Sequence, residues 1–261
     1  MNRIKKLFSD KKKNVVSIYF TAGFPQLNDT NTVLNALQKH GADLVEIGMP
    51  YSDPLADGPV IQHSNMIALH NGTTIKKLFE QLKDCRSNIY LPLILMGYLN
   101  PVLQYGIEKF CSEAHNAGID GIILPDLPLH EYETECKKVF EKYKLDFIFL
   151  ITPETSEKRI RKIDAISKGF VYAVSSSSIT GADKDMSAQQ KYFQNLESMK
   201  LKNPIMFGFG IKDNKTFSQA CKHTSGAIIG TAYIKAIENS NNIDIDTEKF
   251  LNSILNATIA L

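Results

Sequence analysis

The chain has 261 residues, with 30 Lys+Arg against 28 Asp+Glu, a net charge of +2, 43% apolar residues and no tryptophan. That composition supports a buried core and argues against disorder, which goes with low hydrophobicity and high net charge. A charge so balanced also argues against a basic nucleic-acid surface, while the length suits a single α/β barrel of about 250 residues.

The N-terminus, MNRIKKLFSDKKK, is positively charged but has no apolar segment of the kind a secretory signal needs. It is read as a solvated amphipathic helix followed by a lysine-rich turn, with an organellar presequence as the alternative. Short apolar runs then alternate with longer amphipathic segments. The runs are Val15–Thr21, Asp43–Ile47, Leu91–Met96, Gly121–Leu124, Asp146–Ile151, Gly169–Val174, Pro204–Phe209 and Gly226–Gly230. Each is rich in Ile, Val or Phe and bounded by Gly, Pro or Asp, the pattern of buried strands. Helical patterns lie between them at Asp29–His40, Thr74–Cys85, Gly106–Ala117, Glu131–Tyr143, Ser156–Ser167, Ala188–Lys200 and Asn214–Cys221, and a last one covers Asp246–Ala260. The longest nearly apolar stretch, Tyr90–Leu99, is far short of the ~20 residues that span a bilayer.

Eight strand-like runs with intervening helices predict a (β/α)8 TIM barrel, a single domain over residues 1–261 with an additional N-terminal helix. A doubly wound sheet is the alternative, but no GxGxxG follows the first run. The four cysteines are scattered without CxxC spacing, and the six histidines form no HExxH or His/Cys cluster. No metal site is expected, and reduced structural thiols fit a cytoplasmic protein.

Two βα connections exceed the usual length of about 2–6 residues: Gly48–Ser64 and Ser175–Met186. In a barrel both emerge at the C-terminal face, where active sites are built. If Val45 and Ile47 face the helices, strand alternation turns Leu44 and Glu46 inward. Glu46 is then either a catalytic carboxylate whose pKa rises by desolvation, or a strand-end glutamate paired with a lysine. In the following loop Asp53 precedes a proline and suits an Asx turn. Asp57 either does the same or shares acid and base work with Glu46. Gly208–Gly210 and Gly230–Ala232 follow the last two strands, where barrels bind phosphate, with Thr231 offering a hydroxyl. Lys235 lies beyond this turn on a helix, and with no lysine inside a strand run Schiff-base chemistry is disfavoured. The residues by themselves thus suggest a barrel enzyme acting on a small phosphorylated molecule.

The run Val45–Gln62, VEIGMPYSDPLADGPVIQ, closely resembles the signature of the tryptophan synthase alpha subunit family. TAGFP (Thr21–Pro25), MGYLNP (Met96–Pro101), GIDGIILPDLP (Gly118–Pro128), ITGA (Ile179–Ala182) and FGFGI (Phe207–Ile211) stand in the family's order across essentially the whole chain. The resemblance implies retro-aldol cleavage of indole-3-glycerol phosphate to indole and glyceraldehyde 3-phosphate. It implies that Glu46 is the general acid/base and that Asp57 holds the indole N–H. It places Tyr19, Ile61, Tyr98 and Tyr172 on the pocket wall, and Gly181, Phe209, Gly210, Gly230 and Thr231 at the phosphate. It implies no cofactor in this chain, and a beta-subunit partner carrying pyridoxal phosphate in an alpha2beta2 tetramer.

The chain departs from the family pattern at Ser176, where an arginine is expected, and at Ser178, where a glycine is expected. Phe24 stands where aspartate is common, and Thr231 replaces a serine but keeps the hydroxyl. A lost guanidinium removes a fork of donors, so weaker lid ordering is expected. A stand-alone indole-releasing lyase, a non-catalytic activator of the beta subunit and a glycosidase are the competing readings. The glycosidase would have no use for two phosphate turns.

Overall fold

The short apolar runs form strands because branched and aromatic side chains pack well on a pleated surface covered on both faces. A computed structural model describes residues 2–174, 186–208 and 210–256. Its strands are β1 (Val15–Thr21), β2 (Leu44–Gly48), β3 (Leu93–Met96), β4 (Gly121–Ile123), β5 (Asp146–Phe147), β6 (Leu150–Ile151), β7 (Val171–Val174), β8 (Ile205–Gly208) and β9 (Gly226–Ile229). All pairings are parallel, in the order β5-β4-β3-β2-β1-β9-β8-β7-β6.

Among the described residues nine strands replace the expected eight because the run Asp146–Ile151 is divided. Its first half pairs with β4 and its second with β7. Between the halves, Ile148 N donates to Ile122 O at 3.0 Å, and Tyr172 N donates to Phe149 O at 3.0 Å. One continuous stave therefore joins both ends of the sheet and closes the barrel. The division reflects the tilt and stagger of barrel strands, which bring the two neighbours alongside at different heights.

The helices are α1 (Arg3–Asp10), α2 (Thr30–Lys39), α3 (Pro59–His70), α4 (Ile75–Leu82), α5 (Leu99–Tyr105), α6 (Ile107–Asn116), α7 (Leu129–Glu131), α8 (Lys137–Lys142), α9 (Glu157–Ile166), α10 (Met186–Ser198), α11 (Asn214–His223), α12 (Thr231–Ile237) and α13 (Ile243–Leu255). The helix expected over Glu131–Tyr143 is interrupted by a π-turn at Tyr132–Cys136 between α7 and α8. The long connection expected over Gly48–Ser64 is shorter than predicted, because α3 begins at Pro59. Proline at the first helical position loses no hydrogen bond and has its φ already set. Residues 175–185, which hold most of the other long connection with Ser176 and Ser178, lie outside the described residues.

Two apolar layers result. The larger lies between sheet and helices and contains Val45 and Ile47. The smaller fills the barrel with Leu44, Ile94, Ile123, Ile148, Phe170, Met206 and Ile228. The first helix is not merely a solvated element. Asn2 caps it, accepting from Ile4 N at 2.8 Å, and fully buried Ile4 joins the interior layer with Phe8. It closes the floor, and Arg3 pairs with buried Asp120 at 3.1 Å.

Candidate active site

Glu46 lies on β2 inside the barrel, as the alternation predicts, and is fully buried. Its Oε1 accepts from Ser17 Oγ on β1 at 3.1 Å, whereas Oε2 has no partner among the described residues. The lysine pairing considered from the sequence is not found among the described residues. Burial raises the Glu46 pKa to about 8 against the opposing hydrogen bond from Ser17, since a carboxylate taken from water loses its charged form first.

Above Glu46 on the same face of β2 stands Gly48, whose missing side chain leaves room for the Tyr19 phenol; a Cβ at Gly48 would collide with it. Gly208 on β8 makes the same allowance for Tyr172. Two glycines at strand ends thus admit two tyrosine rings over the barrel interior. Burial is the main cause raising both phenol pKa values, with Asp57 and Glu46 adding to it, so both stay neutral donors.

Asp57 overhangs this floor from the β2–α3 loop. Tyr98 OH donates to its Oδ2 at 3.2 Å and accepts from Ala56 N at 3.0 Å. Burial raises the Asp57 pKa to about 6, with the Tyr98 hydrogen bond acting the other way. The loop is anchored by buried Asn65, which accepts from Tyr51 N at 3.1 Å and donates to Ile61 O at 2.8 Å. Tyr98 sits where Asp126 receives Leu99 N at 2.9 Å. Asp53 does not close the expected side-chain turn: Leu55 N goes to its main-chain oxygen at 2.9 Å, while Ser52 Oγ donates to its carboxylate at 2.5 Å.

These elements surround a cavity of about 380 Å³ at the C-terminal end of the barrel. Tyr19, Asp57, Ile61, Tyr172, Gly210, Gly230 and Thr231, all expected from the sequence, line it. Tyr98 stands behind Asp57 in an adjoining cleft. Glu46 is not on the wall but beneath it, under Tyr19. Gly181 and Phe209 lie outside the described residues. Sequence reasoning missed Met96, Pro125, Leu150 and Ile228 as lining residues. Strand alternation offered a signal for the three within strand runs. It also missed Lys212, and did not bring Lys235 to the cavity rim. Among the described residues no group of three or more His, Cys, Asp or Glu could hold a metal ion. The four cysteines are buried.

The arrangement suits proton transfer on an elongated ligand. One carboxyl stays protonated near neutral pH, a second ionises there, and the apolar wall between them accepts a flat ring. The family model described as tryptophan synthase alpha chain matches residues 4–258. A tryptophan synthase alpha chain of Phocaeicola vulgatus is 52% identical over 258 residues, covering 98% of this chain and 99% of the relative. That of Flavobacterium johnsoniae is 53% identical over 244 residues, covering 93% and 96%. In structure the chain is similar to the tryptophan synthase alpha chain of Legionella pneumophila, with a TM-score of 0.88 at 33% identity over 97% and 96% of the two chains.

Proposed function

The chain belongs to the tryptophan synthase alpha chain family, and on that premise we propose that it cleaves indole-3-glycerol phosphate to indole and glyceraldehyde 3-phosphate. One observation carries the reading: two carboxyl groups, Glu46 and Asp57, are held in unlike settings around one partly apolar cavity. Glu46 is the general acid/base. Rotation of its side chain past Tyr19 brings the carboxyl up to the ligand, and its proton passes to C3 of the indole ring. The positive charge that develops is shared by the ring nitrogen, whose N–H is held by ionised Asp57. Glu46, now a carboxylate, takes the proton of the hydroxyl on the carbon attached to C3. The O–H electrons form the aldehyde C=O, the C–C bond breaks, and its electrons return to the ring. Indole leaves with glyceraldehyde 3-phosphate, and Glu46 is protonated again.

Each role has a local support. The Tyr98 hydrogen bond positions Asp57. Tyr19, Ile61, Tyr172 and Leu150 make the apolar wall for an indole in a chain without tryptophan. Gly181, Phe209, Gly210, Gly230 and Thr231 receive the phosphate. Side-chain carboxyls move the protons and the protonated indole ring takes up the electrons of the C–C bond, so the lyase reaction needs no cofactor in this chain. Membership of an alpha chain family implies a beta-subunit partner, which carries pyridoxal phosphate and receives the indole in an alpha2beta2 tetramer. Leu55, on the Asp57 loop, and Leu103, on α5, are exposed apolar side chains for such a partner to cover. A single cytoplasmic barrel domain over residues 1–261 completes the reading, and no described helix is long and apolar enough to cross a membrane.

The deciding experiment is indole release from indole-3-glycerol phosphate, with and without the beta subunit. Glu46→Gln should lower turnover by about 10²- to 10⁴-fold, the contribution of a positioned acid/base. Strong activation by the partner excludes a self-sufficient lyase. Activation of the partner with no indole released by the wild-type chain would leave only the non-catalytic role.

A further inference from the structure

We propose that Lys212 and Lys235 form a cationic clamp that selects the doubly charged phosphate of the ligand at the rim of the active-site cavity. The inference rests on the phosphorylated substrate proposed above and assigns two residues to it that its glycine turns and hydroxyl do not include.

Both lysines line the cavity that Tyr19, Asp57 and Tyr172 line. They reach it from consecutive βα units. Lys212 stands two residues beyond Gly210 in the connection after β8, and Lys235 stands on α12 after β9. Thr231 and Lys235 are four residues apart on that helix, so they share one face and flank the same space. Among the described residues, Asp57 is the only other charged residue on the cavity wall.

The charges of opposite sign come from different strands: Glu46 and Asp57 from β2 and its following loop, Lys212 and Lys235 from the units after β8 and β9, which β1 separates from β2 in the sheet. A ligand with an N–H-bearing ring and an anion has a partner of the right sign for each. Both lysines are exposed. Among the described residues neither enters an ion pair, whereas Lys11, Lys39, Lys162 and Lys168 each meet a carboxylate. Backbone N–H groups and a threonine hydroxyl are neutral donors, whereas two ammonium groups add charge that favours a dianion over a monoanion. Lysine suits this work as a flexible point charge. Charge at a cavity mouth also draws an anionic ligand in, with a dependence on ionic strength.

The test uses the whole chain and its Lys212→Met, Lys235→Met and doubly substituted variants. Lys222→Met, on α11 and outside the cavity lining, is the control. Calorimetric affinity for glycerol 3-phosphate, salt dependence, and KM and kcat for indole release are the readouts. Each single substitution should weaken glycerol 3-phosphate binding about three- to tenfold, the range for exposed to partly desolvated charge contacts. The double variant should weaken it further and flatten the dependence of KM on salt. The effect falls on KM far more than on kcat, arginine at either position restores binding, and the control binds as the wild type does. Unchanged affinity and salt dependence in the double variant would overturn the clamp, as would a wild-type chain that does not bind glycerol 3-phosphate. Lysine-dependent binding without indole release would uphold the clamp and sink the catalytic reading instead.

Discussion

At the scale of single residues, Glu46 makes the sharpest demands. With the Glu46 pKa at about 8 and the Asp57 pKa at about 6, kcat/KM should follow a bell. It rises as Asp57 ionises and falls as Glu46 loses its proton, reporting groups of the free enzyme. Ser17 donates to Glu46 and favours its charged form. Ser17→Ala should therefore move the alkaline limb to higher pH and leave the acid limb in place; a limb that stays put would remove Glu46 from that role. The same burial has a consequence for stability. A carboxyl whose folded pKa is raised holds its proton more tightly folded than unfolded, so its contribution is full below the unfolded value, near 4.5, and is lost as pH rises toward about 8. Glu46→Gln should thus gain stability relative to the wild type across that interval, by on the order of a few kcal/mol at its alkaline end. Denaturant melts at several pH values check this.

At the scale of elements, the site depends on what two strand ends leave out. Gly48 and Gly208 admit the rings of Tyr19 and Tyr172. Gly208→Ala should displace Tyr172 and lower kcat/KM by roughly tenfold or more, since misplacing a group near the chemistry by about 1 Å can cost about 10²-fold. Steady-state kinetics, with a melting curve to confirm folding, decide it. The GFG run around Gly208 was legible in the sequence, but only as a turn or phosphate contact. That its first glycine makes room for an aromatic ring depends on Tyr172, from the neighbouring strand β7. Likewise the Gly48–Ser64 connection was legible as functional, while its conversion to helix at Pro59 put Ile61 on a rigid wall.

At the scale of the whole molecule, the barrel floor is held by a charged node far from the chemistry. Asp120 accepts from Arg86 at 2.7 Å, Arg3 at 3.1 Å and Leu93 N at 3.0 Å. Arg86 also donates to Gly118 O, Ile89 O and Leu91 O. The node thereby links α1, the lead-in to β3 and the loop before β4. Removing one partner strands a buried charge, which costs about 3–5 kcal/mol. Asp120→Ala should lower the melting temperature by roughly 10 °C, at about 2–4 °C per kcal/mol for a chain of this size. A loss no greater than that of an exposed control such as Glu248→Ala would refute the node's importance.

The barrel and the inward placement of Glu46 were determined by the sequence alone, because strand alternation and buried apolar runs are local regularities that survive tertiary context. The acidic run around Asp57 could be read the same way, because its residues are contiguous. Tertiary structure alone decided that one run would serve as two strands, that α1 would close the floor, and that Glu46 would lie under Tyr19 rather than on the cavity wall. It also brought Lys212 and Lys235 to one rim. Each of these joins residues distant in the chain, through a closed sheet whose tilt and stagger no local pattern encodes.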